Sequence, residues 1–329
     1  MGEKIEKELK WAVLGTGVIA NEMAQALEKM GKKLYAVANR TYDKAVEFAE
    51  KYGVQKVYDK IEDMFTDKET DIIYITTPHN THIKFMIEAL KNGKHVLCEK
   101  SITLNSEELE EAVKIAKEKN LILGEAMTIF NMPLYTELSE IVNSGKLGNV
   151  RMIQVNFGSY KEYDMNNRFF NRNLAGGALL DIGVYAISIT RLFMTSKPDN
   201  VLSQVKYAPT GVDEQVGIIM MNKEQQMSTI ALTLHSKQPK RVVIACEKAY
   251  IEITEYPRAD KAKIVYTETG EIEEITAGMT ANALQYELQN MEESVKTGIN
   301  KMKLEYTIDV MDIMTKLRKE WGMTYPEEE

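Results

Sequence analysis

The stretch WAVLGTGVIANEMAQALEKM, residues 11–30, joins an apolar run, a glycine turn and a helical repeat. The apolar run at 11–15 has the length of a buried strand. The segment after the turn places apolar side chains on one helical face, namely Ile19, Met23, Leu27 and Met30. A strand, a glycine turn and a helix in this order predict the first unit of a repeated α/β fold.

The turn itself, GTGVIA at residues 15–20, has the spacing of a dinucleotide-binding fingerprint. Gly15 permits a tight turn, Gly17 lets the backbone approach a pyrophosphate, and Ala20 lets the helix pack closely on the strand. The helix N-terminus then faces the negative charge. We predict that the whole turn contacts a cofactor, through Gly15, Thr16, Gly17, Val18 and Ile19. The alternative is a tight turn that binds no ligand.

The same alternation continues as far as residue 127. Further apolar strands are predicted at 34–39, 56–59, 71–77, 95–100 and 121–127. Helices are predicted up to residue 52, at 80–92 and at 105–119. Asn105 and Glu108 supply an N-cap and a capping-box-like partner for the last of these helices. Apolar strands separated by helices predict a doubly wound parallel sheet, so residues 1–127 are expected to form a Rossmann domain.

The pattern changes after residue 127. Helices are predicted at 133–144, 178–194, 281–296 and 303–320, with a strand at 150–159. Alternating strands follow at 201–208, 216–222, 227–236, 241–254 and 261–268, separated by turn residues. Residues 128–329 are therefore expected to form an α+β domain with a large, open, mainly antiparallel sheet. The acidic tail PEEE at 326–329 is expected to be frayed.

Composition excludes several classes of partner. The net charge of −8 argues against a nucleic-acid partner, because a phosphate backbone requires a basic face. No run of 18 apolar residues is present, so no membrane span is expected. The first residues lack the apolar core of a signal peptide. Two cysteines in 329 residues indicate a reducing compartment, the cytoplasm, rather than a disulfide framework.

The end of the second predicted strand indicates which nicotinamide cofactor is used. An NAD site usually has an acidic residue here that binds the ribose hydroxyls. This chain has Asn39, Arg40 and Thr41 instead. An arginine pairs with a 2′-phosphate, whereas an acid would repel it. The sequence therefore predicts NADP, with NAD possible, and the alternative is a solvated arginine at a strand end.

Two further segments have residues suited to chemistry. CEKS puts Glu99 and Lys100 at the carboxyl end of a parallel strand, where ligands bind in open α/β sheets. GGALLDIGVY places Asp181 and Tyr185 four residues apart, on one face of an otherwise apolar helix. A buried polar pair requires a reason. The alternative is an aspartate near a helix N-terminus beside an unrelated tyrosine.

The order of motifs resembles the Gfo/Idh/MocA oxidoreductase family. The motifs are GTGVIA, TPHNTH (77–82), CEKS (98–101), GEAM (124–127), SGKLG (144–148) and GGALLDIGVY (176–185), and they cover essentially the whole chain. GEAM and LLDIGVY are most similar to the branch of dimeric dihydrodiol dehydrogenase and glucose-fructose oxidoreductase. Two positions depart from the family pattern: Ser101 replaces the usual proline after Lys100, and Tyr185 stands where many members have histidine.

The resemblance implies hydride transfer between nicotinamide and a hydroxyl or carbonyl carbon of a sugar, polyol or trans-diol. It implies cofactor contacts from the strand ends, at Thr76, Thr77, Pro78, His79, Asn80, His82, Glu99, Lys100 and Glu125. It also implies an open sheet used for dimerisation, so we expect a homodimer or a dimer of dimers. His79 and His82 have no evident third ligand, and no metal is expected.

The expected mechanism makes Tyr185 the acid/base and Asp181 the group that orients it. A phenol has a pKa near 10, so Lys100 is expected to lower the pKa of Tyr185 and to bond the substrate oxygen. Tyr163, Arg168 and Asn171 precede this segment and are expected either to meet substrate hydroxyls or to be solvated. Two alternatives remain, namely a non-catalytic NAD(P)-binding regulator on the same fold and an oxidoreductase for an imine.

Overall fold

The computed structural model describes residues 8–329. Its N-terminal strands are β1 (Trp11–Leu14), β2 (Ala36–Ala38), β3 (Lys56–Tyr58), β4 (Ile72–Ile75), β5 (His95–Glu99) and β6 (Leu123–Ala126). They form a parallel sheet in the order β3-β2-β1-β4-β5-β6, which confirms the predicted Rossmann-like sheet. The strand order reverses between β1 and β4, so their carboxyl ends border a crevice.

Five helices connect these strands: α1 (Val18–Lys29), α2 (Tyr42–Tyr52), α3 (Ile61–Thr66), α4 (His82–Lys91) and α5 (Ser106–Glu118). Alternate residues of β1 belong to different apolar layers, because successive side chains point to opposite faces. Trp11 and Val13 pack in the layer of α1 and α2, and Ala12 and Leu14 pack in the layer of α4 and α5.

The predicted cap of α5 is present, with one difference. The Asn105 side chain accepts a hydrogen bond from the Glu108 amide at 2.9 Å. The Glu108 carboxylate accepts from the amide of Leu104 at 3.0 Å, one residue before the N-cap. The Asn105 side chain thus satisfies an amide of the first helical turn, and the Glu108 carboxylate satisfies an amide just before the helix.

The C-terminal part contains a sheet of eight strands. They are β7 (Val150–Gly158), β8 (Asn200–Tyr207), β9 (Asp213–Met221), β10 (Met227–Thr233), β11 (Gln238–Cys246), β12 (Ala249–Thr254), β13 (Lys261–Tyr266) and β14 (Ile272–Thr276). Their order is β14-β13-β12-β11-β7-β10-β9-β8. Every pair is antiparallel except β7 with β10, so the expectation of a mainly antiparallel sheet is confirmed.

One predicted strand is wrong. Residues 241–254 form the hairpin of β11 and β12, not one long strand, and β14 was not predicted. The chain turns at Glu247, between β11 and β12. The Glu247 carboxylate holds this turn in place by accepting hydrogen bonds from the Asn149 amide at 3.0 Å and from Arg151 Nε at 3.1 Å. An apolar alternation continues through such a turn, so the sequence pattern gave no sign of it.

The remaining helices are α6 (Thr128–Asn131), α7 (Pro133–Asn143), α8 (Val184–Phe193), α9 (Ala283–Thr297) and α10 (Leu304–Glu320). The predicted helix 178–194 begins as a π-helical segment, Leu179–Gly183, and continues as α8. The stretch Arg172–Phe193 is apolar and long enough to span a membrane, but 78% of its most apolar window is buried inside the protein. Its apolar character is therefore explained by burial in the core.

The acidic tail is packed, contrary to the expectation of a frayed end. Arg318 donates to both oxygens of Glu328, at 2.7 and 2.8 Å, and Glu327 accepts from Asn80 Nδ2 at 2.5 Å. Tyr325 is fully buried and donates its hydroxyl to the Gly176 carbonyl at 2.7 Å. The prediction considered only the charge of the tail and not these three partners.

One face of the eight-stranded sheet is partly bare. Side chains on this face form cross-strand pairs, Met152 with Met227 and Leu202 with Ile219. All four are exposed, together with Tyr250 on β12. The opposite face contributes buried residues such as Ile153 and Ile218 to the core. The outward face is therefore an apolar surface of the kind that associates with another surface.

Candidate active site

The turn between β1 and α1 has the geometry that a dinucleotide requires. Gly15 has φ +111° and donates its amide to the Ala38 carbonyl at 2.8 Å. A Cβ on Gly15 would lie 2.5 Å from Thr76 Oγ1, whereas a Cβ on Gly17 would meet no atom within 4 Å. No side chain caps the first turn of α1, so its amides face the open space beside Gly17. Val18 is 80% exposed at the same place.

Asn39 and Arg40 lie at the carboxyl end of β2, beside this turn. Asn39 Nδ2 donates to Thr16 Oγ1 at 2.7 Å, so Asn39 supports the turn through its neighbour. Arg40 is exposed, and within residues 8–329 no side-chain partner holds its guanidinium. An unpaired guanidinium at this position can receive a ribose 2′-phosphate.

The loops after β4 and β5 are joined by two histidines. His79 Nε2 lies 3.0 Å from the Lys100 carbonyl oxygen. His82 is fully buried, with its ring nitrogens 2.7 Å from the Thr77 carbonyl and 3.0 Å from that of Ser101. Burial lowers the pKa of both imidazoles, with Lys100 adding to the effect. Through these contacts the two histidines join the loops after β4 and β5 and hold the Lys100 turn in place.

Two of the predicted cofactor contacts lie behind the crevice. His82 is 0% exposed and Glu125 is 1% exposed, so the structure does not bring either side chain to the open face. Glu125 accepts bonds from the Ile102 amide at 3.1 Å and from Thr307 Oγ1 at 3.0 Å, and burial raises its pKa to about 7. Both residues support the site from inside rather than face a ligand.

The other predicted contacts lie at or just after the carboxyl ends of β4 and β5. Thr76 binds the Leu14 carbonyl at 2.9 Å through its amide and its hydroxyl, and Thr77 accepts from the Thr81 hydroxyl at 2.8 Å. Pro78 precedes the 3₁₀ turn His79–Thr81 at the crevice edge. Glu99 accepts a hydrogen bond from the buried Tyr74 hydroxyl.

Lys100 and the segment containing Asp181 meet although 81 residues separate them. Lys100 Nζ donates to the Asp181 carbonyl at 2.8 Å and lies 3.4 Å from its Oδ1. Ser101 Oγ donates to the Leu180 carbonyl at 2.9 Å. The π-helical winding of Leu179–Gly183 leaves these carbonyls available, as π segments at functional sites do. The serine at the position of the family's proline thus contributes a hydrogen bond; the Lys100–Ser101 peptide is cis.

The charges of this pair stabilise each other. Burial alone would lower the pKa of Lys100, but Tyr185, Asp181 and Glu99 outweigh it and raise that pKa. Burial alone would raise the pKa of Asp181, but Lys100 and Arg168 outweigh it and lower that pKa. Both groups are therefore ionised at neutral pH, as a paired ammonium and carboxylate.

Tyr185 lies against the same ammonium. Lys100 Nζ is 5.0 Å from the centroid of its ring, and the Tyr185 hydroxyl forms no hydrogen bond to any residue in 8–329. Burial raises the pKa of Tyr185 to about 12, and Lys100 lowers it only in part. The expected influence of Lys100 is present, but the sequence argument omitted desolvation, which is the larger effect.

The loop before the π segment contains three side chains that were predicted to contact substrate, and they lie in different surroundings. Tyr163 stacks on His235 with ring centroids 4.0 Å apart, and its hydroxyl donates to Glu214 at 2.7 Å. Asn171 accepts from the Asn173 amide at 2.9 Å and so caps a short turn. Arg168 is brought to the site, 3.7 Å from Asp181 Oδ1. Of the three predicted substrate contacts, only Arg168 reaches the pair of Lys100 and Asp181.

No group of three or more potential metal ligands lies together in the part of the chain that the structure describes. His79 and His82 face each other edge to face at 5.7 Å, and their nitrogens are directed at backbone carbonyls. The arrangement is suited to an organic cofactor and to proton transfer between side chain and substrate.

Family models match both parts of the chain. Residues 9–127 match the oxidoreductase family model of Gfo/Idh/MocA proteins with an NAD-binding Rossmann fold, and residues 135–252 match the C-terminal domain of the same family. The chain belongs to the Gfo/Idh/MocA oxidoreductase family. The family predicted from the motifs is thereby confirmed, and the protein is an oxidoreductase with an NAD(P)-binding Rossmann fold.

Individual members of this family align over nearly the whole chain. Trans-1,2-dihydrobenzene-1,2-diol dehydrogenase of Xenopus laevis is 29% identical, over 96% of this chain and 99% of its own length. The 3-ketoreductase KijD10 of Actinomadura kijaniata, solved with NADP and TDP-benzene, has a TM-score of 0.85 at 19% identity and covers 95% of this chain and 98% of its own. A levoglucosan dehydrogenase complexed with NADH and levoglucosan has a TM-score of 0.83 at 16% identity, with the same coverage.

Sequence reasoning missed three members of this Gfo/Idh/MocA site. Ser101 was noted only as a departure from proline, although a serine beside the lysine could have signalled a hydrogen bond. Arg258 of the C-terminal part binds Glu22 of α1 at 2.9 Å, and no motif contained it. Lys161 was not considered, and only its position three residues after the end of β7 could have indicated it.

Proposed function

We propose that the protein is an NADP-dependent oxidoreductase that transfers a hydride between nicotinamide and the hydroxyl or carbonyl carbon of a sugar, polyol or trans-diol. The observation on which this rests is the contact of Lys100, directly after β5 of the Rossmann sheet, with Asp181 and the Tyr185 ring. A bound nicotinamide supplies the hydride chemistry. The residues of this chain then have to orient the substrate and move one proton.

The protonation states support a proton donor at neutral pH. Lys100 remains an ammonium, and Tyr185, with a pKa of about 12, remains a phenol. Lys100 binds and polarises the substrate oxygen, while the Tyr185 hydroxyl donates a proton to it during carbonyl reduction. In the opposite direction, the same hydroxyl has to be deprotonated, and the Lys100 charge favours that state. Asp181 orients Lys100 through the bonds already described.

NADP is preferred in this proposal over NAD. The support is the unpaired Arg40 guanidinium at the end of β2, where an acidic residue would otherwise bind the ribose. Neighbouring structures were solved with either cofactor, NADP in the 3-ketoreductase and NADH in the levoglucosan dehydrogenase. The substrate class is supported by these names and by the dihydrodiol dehydrogenases among the relatives.

A second reading is a cofactor-binding regulator without turnover. Such a protein would have no need of a paired ammonium and carboxylate with a free phenol beside them, and this chain has all three. A direct test measures NADPH absorbance at 340 nm with a panel of sugars, inositols, diols and dicarbonyls. Turnover of a carbonyl or hydroxyl compound supports the enzyme. Tight NADPH binding with no turnover across the panel would favour the regulator.

We also propose that two copies associate through the outward face of the eight-stranded sheet, giving a homodimer or a dimer of dimers. Its support is the row of exposed apolar side chains at Met152, Leu202, Ile219, Met227 and Tyr250. Sedimentation at micromolar concentration should give at least twice the chain mass of 37.4 kDa. A monomer at that concentration would rule out this association.

Location in the cytoplasm is proposed from the unpaired Cys98 and Cys246.

A further inference from the structure

The loop between β7 and the π segment brings two cations onto one aromatic ring. Lys161 Nζ lies 4.1 Å from the centroid of the Phe169 ring, and Arg168 Cζ lies 4.2 Å from the same centroid. Arg168 also reaches Asp181 Oδ1 at 3.7 Å, the oxygen that lies 3.4 Å from Lys100 Nζ. A continuous set of contacts therefore joins Lys161 and Arg168 to the ammonium at the reaction site.

The charges in this set do not balance. Lys100, Arg168 and Lys161 are positive, and Asp181 is the carboxylate that Lys100 and Arg168 share. Within residues 8–329, no carboxylate lies within ion-pair distance of Lys161 Nζ, and the loop's own acids, Glu162 and Asp164, form no ion pair with either cation. These four side chains carry an excess of two positive charges, which Glu99 beside Lys100 offsets only in part, in a chain whose net charge is −8.

The environment of Lys161 indicates that this excess is costly for the protein. Lys161 is half-buried, and burial lowers its pKa. Asp181 acts against that lowering, while Arg168, Lys100 and Lys240 add to it. Lys240 is itself neutralised by Glu255 at 2.8 Å, whereas Lys161 has no ion-pair partner within residues 8–329 and Arg168 shares Asp181 with Lys100. Uncompensated like charges beside a site are stabilised when an anion binds between them.

We propose that the substrate is an anionic sugar or polyol whose phosphate or carboxylate group is bound by Lys161 and Arg168. This rests on the proposed function and specifies its substrate class. Lys100 binds the reacting oxygen, and the two loop cations bind the anion of the same molecule. The guanidinium of Arg168, with 61% of its side chain exposed, is free to form a bidentate pair with a phosphate or carboxylate. The cofactor's phosphates have a separate site, at the β1–α1 turn.

Binding tests the anion site independently of turnover. Matched probes that differ in charge are glucose, glucose 6-phosphate and glucuronate, and gluconate with 6-phosphogluconate. Each is added to the protein with saturating NADP⁺ at constant ionic strength, and the thermal unfolding midpoint and the dissociation constant are measured. Anionic probes should bind at least about tenfold more tightly than the neutral sugar, because each retains a charge-assisted bond to a cation. Comparing the phosphorylated probes with the carboxylated ones shows which of the two anionic groups the site binds more tightly.

Two variants locate the effect. Lys161→Met and Arg168→Gln should each weaken binding of the anionic probe by about tenfold and leave the NADPH dissociation constant unchanged. Lys161→Met, which has no contact with Asp181, should also leave binding of the neutral sugar unchanged. Lys223→Met is the matched control, because Lys223 lies in the turn before β10, at the opposite end of the sheet, with 72% of its side chain exposed. It removes the same charge and should change none of these values.

The outcomes separate this proposal from the one on which it rests. Equal affinity for neutral and anionic probes, no binding of any anion, or a full effect of Lys223→Met would overturn the anion site. Tight binding of an anionic probe that depends on Lys161, without turnover of any compound, would support the anion site and contradict the oxidoreductase. Turnover of an anionic sugar at a KM unaffected by Lys161→Met would contradict the anion site while supporting the oxidoreductase.

Discussion

The two ends of the crevice are built in different ways. The nucleotide end is one contiguous turn, Gly15–Ile19, whose function depends on backbone conformation and open space. The reaction end joins Lys100 to Asp181 across 81 residues, and its function depends on paired charges and on the partial burial of Tyr185. Binding of the cofactor and transfer of the proton should therefore be separable by mutation, which the following predictions examine.

Lys100→Met should have the largest effect and should act on the reaction end alone. Removing the ammonium leaves the substrate oxygen without its charge and Tyr185 without the cation that most lowers its pKa. We expect kcat to fall by about 10³-fold, with NADPH affinity at the dinucleotide turn retained. Steady-state kinetics and fluorescence titration measure the two quantities. Lys91→Met, an exposed lysine at the end of α4, is the control. A comparable loss of NADPH binding would show that the two ends are not independent.

Tyr185→Phe should lower kcat by about 10²-fold or more, because the ring remains and only the proton-transferring hydroxyl is lost. The wild-type rate of hydroxyl oxidation should also rise with pH, because the Tyr185 hydroxyl has a high pKa and has to lose its proton first. This rise should disappear in the variant. Rates between pH 6 and 9 provide the measurement. If the variant turns over an identified substrate at the wild-type rate across that range, Tyr185 is not the acid/base, and Lys100 becomes the candidate.

Glu125→Gln tests the buried support behind the reaction end through protein stability. The Glu125 pKa of about 7 in the folded state lies above the value of about 4.3 for an unfolded chain. Its contribution is therefore fully present below the unfolded pKa and is lost as pH rises toward 7. The amide can keep both hydrogen bonds without ionising. Relative to wild type, the variant should gain about 3 kcal/mol of unfolding free energy between pH 4 and pH 8.

Urea unfolding at the two pH values provides that measurement. Asp213, whose pKa burial also raises to about 7, should continue to give both proteins some loss of stability with rising pH. Identical pH profiles for the variant and the wild type would contradict a protonated Glu125 in the folded state. An unchanged kcat would show that the carboxyl supports the site without taking part in the proton transfer.

Arg40→Ala should have the smallest effect and should act on the nucleotide end alone. We expect NADPH affinity to fall by about tenfold, NADH affinity to stay the same and kcat at saturating NADPH to stay near wild type. Fluorescence titration of both cofactors against both proteins tests this. A wild-type protein that binds NADH as tightly as NADPH would contradict the proposed preference from the start.

Local patterns predicted the nucleotide end, because its requirements are local. Glycines at 15 and 17, an apolar strand before them and an amphipathic helix after them are visible in 20 residues. The reaction end was predicted in its residue types through the family motifs, but not in its contacts. The bond of Ser101 to Leu180, the burial of His82 and Glu125, and the pKa of Tyr185 depend on segments that meet only in the folded chain.

The hairpin of β11 and β12 and the docked tail were not foreseen for a related reason. An apolar alternation predicts strands but not the turn at Glu247, whose carboxylate is held by Asn149 and Arg151 from elsewhere in the chain. The acidic tail is ordered by Arg318 and Asn80, and composition alone could not pair them with it. Long-range partners determined both outcomes.

The packing of α9 on the N-terminal sheet limits the modularity of this enzyme. Leu284, Leu288 and Met291 of that helix belong to the same apolar layer as Trp11, and the Trp11 indole donates to Glu292 at 3.0 Å. A gene truncated after residue 127 would encode a sheet with one face only partly covered, by α1 and α2, and with an unsatisfied indole. Grafting the Rossmann half onto another substrate domain would therefore require transplanting a helix from the far end of the chain as well.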